Sequence, residues 1–105
     1  MSKHFAITLT PNEWDRRSHA HTLGEREWSL AVTLVDRAGF RPNLVGGVSA
    51  RDVGPFASHL ARALQQARVS EADRSTLDGL LDFLTRKAGG RGLTLTRGWK
   101  KWNQA

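Results

Sequence analysis

Arg26-Glu27-Trp28-Ser29-Leu30-Ala31-Val32-Thr33-Leu34-Val35 is the stretch on which the fold turns. Trp28, Leu30, Val32 and Leu34 alternate with Ser29, Ala31 and Thr33, the two-residue period of a half-buried strand. On that reading Asp36-Arg37-Ala38-Gly39 is a hairpin loop, with Gly39 supplying a positive φ. Phe40 to Val48 is then the returning strand. Pro42 limits its ladder bonds, and Gly46-Gly47 weakens its second half.

Upstream, residues 4 to 10 alternate strictly: Phe5, Ile7 and Leu9 point one way, Ala6, Thr8 and Thr10 the other, and Pro11-Asn12 stops the strand. Residues 11 to 24 keep no period and are polar, a connection long enough to suggest a functional loop. Its candidate residues are Trp14, Arg16, Arg17, His19 and His21.

Downstream, two helices are expected. Pro55 costs nothing in a first turn, so Asp52 is preferred over Ser49 as the first cap. Val53, Phe56, Ala57, Leu60 and Leu64 form that helix's inward stripe. Ser70 with Asp73 signals a second cap, and a helix runs from about Glu71 to Ala88 with Leu77, Leu80, Leu81 and Leu84 inward. Arg74, Asp78, Asp82 and Arg86 share a flank at four-residue spacing and read as a solvated face. A last strand, Leu93 to Arg97, follows Gly92. Gly98 to Ala105 reads as extended or as one helical turn. The expected fold is α+β over residues 1–105, in the order β-β-β-α-α-β: a largely antiparallel sheet of three to four strands with two helices on one face.

With 105 residues and no Cys, the chain has one domain's length and neither disulfides, thiolate metal sites nor a cysteine nucleophile. The absence of Cys fits a reducing compartment, and a cytoplasmic location is expected. No apolar run approaches a membrane span, and no signal-peptide block follows Met1.

Charge is distributed unevenly. Lys plus Arg is 16 and Asp plus Glu is 10, a net of +6, and ten of each sign fall before Phe83. Arg86, Lys87, Arg91, Arg97, Lys100 and Lys101 follow without an acid, so the whole excess lies in the last 23 residues. Within 91–105, Trp99-Lys100-Lys101-Trp102 interleaves indoles, on which bases stack, with ammonium groups, which contact phosphate. Arg91, Arg97, Trp99, Lys100, Lys101 and Trp102 are therefore the candidate binding residues, for a nucleic acid or an acidic protein surface.

Other chemistries have weaker signals. His19 and His21 have metal-ligand chemistry but no spaced partner motif, so neither metal nor cofactor is expected. Ser49 lacks the final glycine of a nucleophile elbow. Glu25 and Glu27, with His19, His21, Arg16, Arg17 and Arg26, could supply acid–base catalysis, though no spacing is specific. The leading expectation is a non-enzymatic module docking on a nucleic acid or a nucleic-acid-handling complex. The alternatives are an inhibitor of the kind small phage proteins use to occlude host defence complexes, and a small metal-independent ribonuclease-like toxin.

Overall fold

The alternation at 4 to 10 becomes the centre of a sheet. In the computed structural model, which describes residues 3–12, 20–88 and 91–101, β1 (Lys3–Pro11) pairs antiparallel with β2 (His21–Gly24) on one side and with β4 (Leu93–Lys101) on the other. A two-residue β3 (Gly47–Val48) completes the order β2-β1-β4-β3. The register sets Ile7 opposite Leu23 and Leu9 opposite Leu95, while Val48 meets Leu93. All six are buried and join one core cluster. On the other face Thr8 lies between Thr22 and Thr96, and Thr10 lies opposite Thr94. The Thr8 and Thr22 hydroxyls meet at 3.2 Å.

The stretch 26 to 35 is not a strand. Glu25–Arg37 is a helix, α1, whose buried residues Trp28, Ala31, Leu34 and Val35 follow helical spacing. Glu25 and Glu27 in its first turn and Arg37 in its last complement the helix dipole. Trp28 stacks on Phe56 at 5.6 Å, joining α1 to α2. The expected hairpin loop is this helix's C-terminus. Gly39 does have positive φ, at 102°, but in a Schellman closure: Gly39 N–H bonds the Asp36 carbonyl at 2.9 Å and Phe40 N–H the Val35 carbonyl at 3.1 Å.

The returning strand is likewise a loop as far as Gly46. An Asn43 side chain accepts from Val45 N–H at 3.0 Å, and Gly46 takes φ +76°. Pairing resumes only at Gly47, where β3 lies so close to β4 that a Cβ would sit 1.9 Å from the Leu93 carbonyl oxygen.

The next helix, α2 (Ala50–Gln66), begins after Ser49 and not at Asp52. The Ser49 carbonyl accepts Asp52 N–H at 2.9 Å and Val53 N–H at 3.2 Å. Pro55, inside the helix, cannot donate a bond back along it. The third helix, α3 (Glu71–Asp82), is capped by the Ser70 hydroxyl, which accepts from Asp73 N–H at 3.1 Å. It continues through a π turn at Phe83–Lys87, closed by Ala88 N–H on the Phe83 carbonyl at 2.9 Å. Arg74 leaves the expected solvated flank: its guanidinium donates to the Leu64 carbonyl at 2.6 Å and the Ala67 carbonyl at 3.3 Å, capping α2. Arg86 and Asp82 do pair, at 2.9 Å.

The chain is thus α+β: the described residues form a four-stranded antiparallel sheet and three helices in the order β-β-α-β-α-α-β. No described helix is long and apolar enough to cross a membrane.

Two glycines should respond oppositely to alanine. Gly47→Ala must push β3 from β4 and should cost about 2 kcal/mol, lowering Tm by roughly 8–16 °C. Gly54, inside α2 with nothing within 4 Å of an added Cβ, should gain about 0.5–1 kcal/mol as Gly54→Ala. Thermal melts of both variants test the packing.

Candidate functional site

The Lys100-Lys101 pair is not on a tail. Both residues belong to β4, and the ladder sets Lys3 opposite Lys101, His4 opposite Lys100 and Phe5 opposite Trp99. Two basic segments from opposite ends of the chain thereby share one end of the sheet. The other sequence candidates are placed differently. Arg91 is exposed just before β4 begins, roughly 30 Å along the strand direction from Lys101. Arg97 reaches across to α1, donating to the Glu25 carboxylate at 3.3 Å. Trp14, Arg16, Arg17, His19 and Trp102 lie outside the described residues.

Beside this charged end lies a second feature. An open cleft of about 870 Å³ runs between β2, the first turn of α1 and α3, lined by Phe5, His21, Leu23, Glu25, Glu27 and Gly79 among others. The direct passage from β2 into α1 at Gly24 carries His21 and both glutamates to the same cleft. Arg26 ties its two helical walls, bonding Asp73 at 2.6 Å and Glu27 at 3.2 Å. Ser75 and Thr76 add hydroxyls from α3.

His21 is the most perturbed group there. Its ring stacks on Phe83 at 5.1 Å, and burial pushes its pKa below the ordinary 6.5, so it is neutral at pH 7. Of the acid–base set considered from the sequence, the cleft brings together His21, Glu25, Arg26 and Glu27. No three His, Asp or Glu among the described residues are placed to hold a metal ion.

The chain matches no protein-family model, no curated protein and no solved structure.

Sequence reasoning did not single out Lys3, whose placement depends on register, nor Phe5, Ser75, Thr76 and Gly79, and it weighed His4 only as a candidate third metal ligand. One signal for the last was present. Gly79 sits inside α3, where Gly costs about 0.5–1 kcal/mol relative to Ala. Nothing forces it, since an added Cβ would meet only His21 Cε1, at 3.9 Å.

The His21 environment has a measurable consequence. A depressed folded-state pKa means that the unfolded chain takes up the proton first. His21's contribution to stability is therefore full above pH 6.5 and is lost as pH falls through its lowered folded value. His21→Phe, which keeps a ring against Phe83, should flatten the stability curve as pH falls below 6.5. Denaturant melts over that range measure it, and an unchanged slope would refute the half-buried neutral imidazole.

Proposed function

We propose that this protein is a non-enzymatic binding module that docks on nucleic acid through the end of the sheet formed by β1 and β4. The observation that carries the reading is the ladder register, with Lys3 opposite Lys101 and His4 opposite Lys100. Like charges directly across a ladder destabilise it. A polyanion laid along that end reverses the sign of the interaction and adds the favourable release of its counterions. The sequence from Phe83 onward holds no acid. Arg97 is already partly neutralised by Glu25, and Arg91 is too distant to share the same phosphates.

Three lysine contacts give a log–log dependence of affinity on salt with a slope of about −2 to −3, depending on strandedness. Replacing Lys100 and Lys101 together by Ala should remove about two contacts' worth of that slope. Arg91→Ala should leave it nearly unchanged. Fluorescence anisotropy with labelled oligonucleotides over a salt series measures all three. A slope indifferent to the double substitution would overturn the reading. Capture of a protein complex that survives nuclease would favour the inhibitor reading instead, with an acidic protein surface as partner.

A second reading draws on the cleft. Its neutral imidazole and two carboxylates are groups that acid–base cleavage of RNA requires. Cleavage of mixed RNA that disappears in His21→Ala would decide for a ribonuclease-like activity. On the binding reading the RNA stays intact.

A further inference from the structure

We propose that the cleft between β2, α1 and α3 receives one unpaired base of a single-stranded nucleic acid whose phosphates lie on the Lys3–Lys101 end of the sheet. The inference rests on the nucleic-acid reading and adds strandedness to it.

Continuity comes first. Phe5 lines the cleft, and its ladder partner is Trp99. The next rung is His4 with Lys100, and the one after is Lys3 with Lys101. Lys3 and Lys101 stand two rungs, about 7 Å, beyond Phe5 and Trp99 on the same face of the ladder and so adjoin the cleft, whereas His4 and Lys100 belong to the opposite face.

Charge then selects what enters. Arg26 lines the cleft but is held by Glu27 and Asp73, and Glu25 pairs with Arg97, so the lining keeps no net positive charge for a phosphate, while the carboxylate oxygens of Glu25 and Glu27 can accept from ring and exocyclic N–H groups. The uncharged part of a nucleic acid is the base. The walls suit it: Phe5 and Leu23 are apolar, and the His21 ring is backed by Phe83. Ser75 and Thr76 offer further hydrogen bonds from α3. In a duplex the bases are paired and stacked and cannot enter a cleft of this kind, whereas single strands offer splayed bases to aromatic and polar walls.

Gly79 gives an independent reason to read the cleft as a receptor. Alanine would fit there at ordinary contact distance and would favour the helix, yet the position leaves the space beside His21 open. A helix that forgoes stability where it lines a cleft is consistent with the cleft needing that space.

The test compares a short single-stranded oligonucleotide with its duplex, at one salt concentration and over a salt series. The native chain should prefer the single strand by about tenfold or more. Gly79→Leu and, separately, Thr76→Trp fill the cleft and should bring single-strand affinity down to the duplex level without changing the salt slope. Gly79→Ala, which should fold at least as stably as the native chain, should show a smaller loss of preference. Lys100→Ala with Lys101→Ala should weaken both ligands and flatten both slopes. Equal affinity for both ligands, with cleft variants indifferent, would overturn the base pocket and leave the docking reading intact. Absence of binding to either ligand would overturn the docking reading itself.

Discussion

The pairing of β1 with β4 holds this structure together. It runs the full length of both strands, from Lys3 opposite Lys101 to Pro11 opposite Leu93, and is extended by Asn12 N–H on the Gly92 carbonyl at 2.7 Å. A slip of one residue would turn Ile7 and Leu9 away from Leu95 and Leu93 and expose them on the threonine face. Because one face is apolar and the other hydroxylic, the register is strongly specified. The same register decides which charges meet at the far end, so the basic site follows from core packing. Joining the first and last segments of the chain also requires closing a long loop before any of these contacts form.

The sequence disclosed elements wherever one period alone was satisfied. Residues 4 to 10 alternate without ambiguity, and the 71 to 88 pattern is helical with a matching Ser70 cap. The stretch 26 to 35 satisfies two periods at once. Positions 28, 30, 32 and 34 are apolar, but so are 31 and 35, which complete a helical stripe with Trp28 and Leu34. Local propensity does not separate these readings, whereas tertiary context does: β2 fills the free edge of β1, and the apolar face of the sheet needs a helix to cover it. The charges pointed the right way, with Glu25 and Glu27 ahead of the stripe and Arg37 behind it. Gly39 was legible as a positive-φ residue, but a Schellman closure and a hairpin loop demand the same backbone there.

The site was legible in composition and illegible in arrangement. The acid-free C-terminal run was plain, yet Lys3 and His4 reach it only through the ladder, and Arg91, near in sequence, is far in space. Arg74 shows the converse: four-residue spacing placed it among exposed charges, while the approach of α3 to the end of α2 gave it two carbonyls to cap. His21 and the glutamates were separately visible, but only the direct passage from β2 into α1 brings them to one cleft.

Local rules are broken at several places where packing does not require it. Lys3 and Lys101 are cross-strand partners at the end of the β1–β4 ladder, and glycines interrupt two helices at positions where alanine would fit. Gly47 is not such a case, because Leu93 leaves it no room for a side chain. Gly54 breaks the helix rule beside a groove of small residues between α2 and the π turn. Glycine alone therefore does not choose between the two depressions. The cleft beside Gly79 is distinguished by what adjoins it, since Phe5 joins its wall to the rung next to the lysines. On the proposed nucleic-acid reading, the Lys3–Lys101 rung and the unforced Gly79 would answer to one ligand, anionic along its backbone and uncharged at its bases, which is simpler than two unrelated causes.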